Sequence, residues 1–294
     1  CWVSGLRASC RMAWRCNPAS KSDTMRVLVT RPKKEAQRWV QALIDAGYEA
    51  LSFPLIGVLP APDAKAVVAV WGRLASFDAV MFVSGNAVDH FFALKPPLAL
   101  EFTDGSATNI RAFVTGPGSL SALKRAQVDT RCIDMPDREA GQFDSESLWG
   151  VVAAQVRPGF RVLIVRGAGS ALGSDGDASP AADGAGRDWF ADHVRAAGGE
   201  VEFVVAYQRC MPEMTEADRA LAQQAAADGT VWLFSSSEAI ANLLAVCPEQ
   251  EWCQAKAVVT HSRIARAARE AGFSVVCESR PTLAALMASI ESLG

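Results

Sequence analysis

The sequence predicts an α/β protein made of two similar domains, each a parallel sheet flanked by helices. Two observations predict it. Short apolar runs that read as buried strands alternate with stretches whose apolar residues recur at helical spacing. The same order of elements then occurs a second time at a nearly constant offset.

The elements follow in order. Residues 26–32, R-V-L-V-T-R-P, read as a buried strand running into a turn. Ala36, Trp39, Val40, Leu43 and Ile44 then form one apolar helical face, closed by Gly47. Residues 50–56 read as a second strand and 78–84 as a third, with a helix from about Asn86. Residues 112–115 make a fourth, opening through Gly116-Pro117-Gly118-Ser119 into another helix. The second half repeats this. Residues 161–167 echo 26–32, Gly198 echoes Gly47, Ser235 echoes Ser84, and 257–260 echo 112–115. The stretch 169–186, rich in Gly, Ser, Asp and Ala, reads as a surface insertion. Counted this way, the repeat divides the chain near residue 150.

Composition narrows the function. The chain has 294 residues, is 50% hydrophobic and 21% charged, and carries a formal charge of -3. That balance suits two globular cores and argues against a nucleic-acid binder. No apolar run approaches the roughly 20 residues of a membrane helix. Eight cysteines without a C-x-x-C pair, and three histidines, suggest reduced thiols and no metal site. Residues 1–24 hold no continuous apolar stretch and read as a disordered extension or a mis-called start.

Ligands of open α/β sheets bind beyond the carboxyl ends of the strands, so the strand-to-helix turns are where function is expected. A pair of such units leaves a cleft between them. Ser84 and Ser235 sit in those turns, where a serine commonly caps a helix and where a cap facing a cleft also holds a carboxylate. Gly116–Ser119 is an anion cradle or a tight turn. Gly167-Ala168-Gly169 does not complete G-x-G-x-x-G, since Leu172 stands where the last glycine belongs. Arg31, Arg166 and Arg187 are candidates for carboxylate contacts, against the ordinary role of an exposed arginine. Tyr207 is one of two tyrosines, and its repeat partner is the apolar Ile56. It therefore packs near the domain junction while adding a phenolic proton; the structural alternative is a strand residue whose hydroxyl reaches water.

In order along the chain, R-V-L-V-T-R-P at 26–32, F-V-S-G-N-A-V at 82–88, V-T-G-P-G-S at 114–119, V-L-I-V-R-G at 162–167, G-R-D-W-F at 186–190, V-A-Y-Q-R at 205–209, L-F-S-S-S at 233–237 and T-H-S-R-I-A at 260–265 resemble the uroporphyrinogen-III synthase family. The resemblance implies two α/β domains joined by a two-stranded connector. It divides the chain into 25–55 plus 212–294 and 60–205, with crossings at 55–59 and 206–212, rather than at 150. It implies a lyase of tetrapyrrole (haem) biosynthesis that closes hydroxymethylbilane with inversion of ring D through a spiro intermediate. No cofactor, nucleic acid or membrane would be involved. A cytoplasmic monomer is expected, in at most transient contact with the preceding deaminase. Tyr207 matches the family's functional tyrosine and is expected to be catalytic. Ser84, Ser119, Ser235 and Ser262, with Arg166 and Arg187, are expected to bind substrate. The turn at His261-Ser262 departs from the Gly-rich turn the family often has there. Two rivals have the same architecture: a non-enzymatic binder of small anions, and a nucleotide-dependent enzyme that would need a complete phosphate loop.

Overall fold

The structure, a computed structural model, describes residues 24–97, 99, 110–137, 143–169 and 185–293, the last of these without the side chains of 185–187. The expected extension at 1–24 (but for Thr24) and most of the expected insertion at 169–186 lie outside the described residues.

Two sheets organise the chain. The first has five strands, all parallel: β1 (Arg26–Val29), β2 (Glu49–Ser52), β9 (Val231–Phe234), β10 (Lys256–Val259) and β11 (Val275–Glu278), in the order β11-β10-β9-β1-β2. The second has six: β3 (Gly57–Pro60), β4 (Ala79–Phe82), β5 (Arg111–Val114), β6 (Ile133–Asp134), β7 (Arg161–Ala168) and β8 (Glu200–Cys210), in the order β3-β8-β7-β4-β5-β6. All its pairings are parallel except β3 with the end of β8, where Pro60 faces Tyr207 and Gly57 faces Cys210.

The strands are apolar without alternation because both faces are covered. In β9, Val231 and Leu233 point into one core and Trp232 and Phe234 into the other. In β4, Ala79 and Met81 are likewise divided from Val80 and Phe82. Trp232 is fully buried, with Phe53 and Trp252 edge-on to it at 5.5 and 5.4 Å.

The helices covering these faces are α1 (Lys33–Asp45), α2 (Ala64–Gly72), α3 (Gly85–Ala93), α4 (Pro117–Arg125), α5 (Ser145–Val152), α6 (Ala185–Ala196), α7 (Glu216–Ala225), α8 (Ser237–Val246), α9 (Ser262–Glu270) and α10 (Leu283–Glu291). Gly47 and Gly198, paired in the sequence repeat, both follow a helix with positive φ, 93° and 82°. Only glycine takes that turn without strain, and each turn returns the chain to a parallel strand.

The structure corrects one element. The strand expected over 50–56 ends at Ser52. Pro54 has no N–H to give to a ladder. Phe53 and Leu55 turn instead into the core of the first sheet, where Asn242 Nδ2 donates to the Leu55 carbonyl at 2.7 Å.

Candidate functional site

A strand followed by a helix brings the helix N-terminus to the carboxyl edge of its sheet. In this fold seven such ends converge on one cavity of about 660 Å³. They are the starts of α1 at Pro32, α3 at Ser84–Asn86, α4 at Gly116–Ser119, α5 at Asp144–Ser145, α8 at Ser235–Ser236, α9 at Thr260–Ile264 and α10 at Pro281–Leu283. α1, α8, α9 and α10 follow strands of the five-stranded sheet, α3, α4 and α5 strands of the six-stranded sheet. Each end presents N–H groups with no partner inside its helix and a partial positive charge. Four arginines, Arg31, Arg38, Arg209 and Arg263, line the same cavity against the carboxylates Glu35 and Asp144. A chain of net negative charge thus surrounds this space with positive potential, which suits a ligand bearing several carboxylates.

Tyr207 stands in the cavity wall on β8 and is 4% exposed. A register shift between Arg166 and Gly167 brings Gly167 opposite Tyr207. The phenol ring lies over that glycine so closely that a Cβ there would sit 2.5 Å from Cζ. His90 stacks on the ring with centroids 5.8 Å apart. The Tyr207 hydroxyl is 3.1 Å from Ser84 Oγ, which also accepts the Ala87 N–H at 3.1 Å as the cap of α3. Burial and nearby Lys34 hold the His90 imidazole below its usual pKa, with Asp89 acting in the opposite direction.

The other expected residues divide. Ser119, 5% exposed in the first turn of α4, and Ser235 both line the cavity. The cap of α8 is not Ser235 but its neighbour Ser236, whose Oγ accepts from the Glu238 N–H at 3.2 Å. Arg166 is not among the lining residues; its guanidinium lies 4.5 Å over the Phe203 ring. Ser262 is exposed and also off the lining, whereas His261 lines the cavity and caps α9, its Nδ1 accepting the Arg263 N–H at 3.1 Å. The side chain of Arg187 lies outside the described residues.

Sequence reading missed Arg38, Arg209 and Arg263. Arg38 lies between apolar positions of α1, Arg209 two residues after Tyr207, and Arg263 beside the turn already suspected. Position relative to a strand end was the available signal. Arg209 is 13% exposed, and its Nη1 lies 3.0 Å from Glu238 Oε2, joining β8 of the second sheet to α8 beside the first. Among the described residues no group of His, Cys, Asp and Glu is placed to hold a metal, and no helix is long and apolar enough to cross a membrane.

The fold and site define a two-sheet α/β protein whose helix ends and arginines enclose an anion-seeking cavity with one phenol in its wall. Residues 37–288 match the family model for uroporphyrinogen-III synthase HemD, and the chain belongs to that enzyme family. The uroporphyrinogen-III synthase of Escherichia coli (strain K12) is 29% identical over 254 residues, covering 85% of this chain and 92% of that protein. Its namesake from Salmonella typhimurium (strain LT2) is 27% identical over the same coverage. A mutant uroporphyrinogen III synthase from the extremely thermophilic bacterium Thermus thermophilus shares the fold with a TM-score of 0.51 at 15% identity, over 92% of this chain and 98% of that one.

Proposed function

We propose that the protein closes hydroxymethylbilane, a linear tetrapyrrole with eight carboxylates, into uroporphyrinogen III, with loss of water and inversion of ring D. One observation carries the residue-level reading: the buried Tyr207 phenol, 3.1 Å from Ser84 Oγ, lies in the wall of a cavity lined by seven helix N-termini and four arginines.

The chemistry follows from that arrangement. The substrate's terminal hydroxyl leaves readily only as water, so it needs a proton. Ser84 Oγ accepts from the Ala87 N–H and lies 3.1 Å from the Tyr207 hydroxyl, a pair in which either oxygen can donate. When Ser84 is the donor, the phenol oxygen accepts that bond and the phenol hydrogen is the one passed to the substrate hydroxyl. Ser84 and the N-terminus of α3 then stabilise the phenolate left after the transfer. The pyrrole nitrogen lone pair expels water and gives an azafulvene cation. The substituted carbon of ring D attacks it to form the spiro intermediate, which fragments and recloses at the other carbon. Loss of a proton to the Tyr207 phenolate restores the aromatic pyrrole and the acid.

Product choice is a matter of position. The unguided chain closes to the symmetric isomer, so the helix ends and arginines must hold the carboxylates where the substituted carbon reacts first. Ser119 and Ser235 serve as binding groups on this reading. Arg166, Arg187 and Ser262 are kept as peripheral contacts. Sheet membership supports domain bounds of 25–55 plus 212–294 and 60–205, with 55–59 and 206–212, where β3 pairs with the end of β8, as the connectors. A cytoplasmic monomer, touching the upstream deaminase only in passing, completes the proposal.

The test is hydroxymethylbilane generated in situ, followed by oxidation and chromatographic separation of the porphyrin isomers. Predominantly type III product supports the reading, and type I alone refutes it.

A further inference from the structure

Glu35 is an acid placed where an anion-binding cavity has least use for one. It lies in the first turn of α1 and divides its carboxylate between groups carried by different sheets. Oε2 is 3.2 Å from Arg31 Nη1, beside β1, and Oε1 accepts from Asn86 Nδ2 at 2.8 Å, at the start of α3. A guanidinium on one oxygen and an amide on the other is also how a protein grips a ligand carboxylate.

The grip on Arg31 is incomplete. A charge-assisted N–H···O bond is usually about 2.7–2.9 Å, so the contact to Glu35 is long and made at one point. Arg31 Nε is buried and has no hydrogen-bond partner among the described residues. Trp39 holds the guanidinium in place, 4.0 Å from its ring. Burial draws the Arg31 pKa below its usual value, and Glu35 only partly restores it. A ligand carboxylate in the Glu35 position, not tethered to the α1 backbone, can approach Nη1 at the usual charge-assisted distance while keeping the Asn86 bond. Glu35 has room to leave, since its side chain is 32% exposed against 17% for Arg31.

We propose that the Glu35 carboxylate marks the seat of one substrate carboxylate, and that Arg31 and Asn86 receive the incoming group as Glu35 swings aside. This rests on the proposed function and adds to it a named subsite and a built-in competitor. Glu35 keeps the buried guanidinium partly neutralised and the seat pre-formed, and it sets a threshold that a weakly charged ligand does not pass.

The test measures binding apart from turnover. Benzenehexacarboxylate serves as a stable polycarboxylate probe by calorimetry, alongside the KM for hydroxymethylbilane. Arg31→Met should weaken probe binding about tenfold, and Arg31→Lys, which keeps charge but loses the fork, about threefold. Glu35→Gln should tighten it about fivefold, yet change it less than twofold when Arg31 is already Met. KM should move in the same directions. Should Arg31→Met fail to fold, Arg31→Gln, which also removes the charge, supplies the second background for the cycle. Unchanged or weaker binding in Glu35→Gln overturns the proposal, because Glu35 would then be supporting Arg31. Equal tightening with and without Arg31 also overturns it, because that effect is only the removal of a negative charge. Symmetric product from the wild type would refute the function while leaving the calorimetric cycle to decide the subsite.

Discussion

Replacing Tyr207 by Phe separates the phenol's chemistry from its packing. The ring is 4% exposed, lies over Gly167 and stacks on His90, and phenylalanine keeps all three relations. What goes is the hydroxyl and its bond to Ser84. A neutral hydrogen bond contributes about 1 kcal/mol, against roughly 5–15 kcal/mol of total stability. The variant should therefore stay folded, with a urea midpoint slightly below that of the wild type. A general acid is worth about 10²- to 10⁴-fold in rate, or roughly 3–5.5 kcal/mol of barrier. Activity should thus fall far more than stability, and the type I fraction should rise as unguided closure overtakes the enzyme. Ser84→Ala keeps the phenol but removes its hydrogen-bond partner and the α3 cap; it should lose about tenfold in kcat, with about 1 kcal/mol of stability. The assay supplies hydroxymethylbilane through a coupled deaminase and scores both rate and isomer. A Tyr207→Phe protein within threefold of wild type, still giving type III product, would refute the acid role and leave the cavity as a positioning device alone.

Other outcomes follow from the same geometry. Gly167→Ala would drive a methyl into the Tyr207 ring; we expect about 1–3 kcal/mol of destabilisation from overpacking and a kcat drop exceeding that of Gly118→Ala, where a Cβ meets nothing within 4 Å. Arg209→Met leaves Glu238 buried without its ion-pair partner, at 16% exposure. It should cost about 3–5 kcal/mol by urea unfolding, and adding Glu238→Leu should recover much of that. His90, whose pKa is depressed in the fold, is neutral in both states at high pH. As pH falls through the unfolded value of about 6.5, the unfolded chain takes up a proton first and stability is lost. His90→Phe should flatten the pH dependence of the urea midpoint below that pH, and an unchanged slope would assign the effect elsewhere.

Much of the local structure was legible because it obeys local rules. Apolar runs too short for helices marked β4, β5 and β7 to within two residues and β1 at its start, and Gly47 and Gly198 marked paired turns. The strand misjudged at 50–56 failed at Pro54, where a missing donor outweighs an apolar pattern. The serines were placed in the right turns, but the cap of α8 fell on Ser236 instead of Ser235, since one residue of phase decides which hydroxyl meets a free N–H. Arg166 and Ser262, expected to bind, stand off the cavity lining, while Arg38, Arg209 and Arg263 lie on it. A strand or helix turns a side chain to one face or another, and which face borders the cavity depends on what packs there.

By itself the sequence determined that an α/β unit occurs twice and that its chemistry belongs at the strand-to-helix turns, because hydrophobic period and turn residues act over a few positions. Only the tertiary structure decided how the half-repeats combine. β1 and β2 pair with β9, β10 and β11, and β4, β5 and β6 pair with β7 and β8, so each sheet takes one half from each repeat. The physical reason is that parallel strands bond across any sequence distance, and burial on both faces selects the partner. That exchange brings Ser84 to Tyr207 across 123 residues and sets Glu35 beside Asn86, contacts that no local pattern encodes.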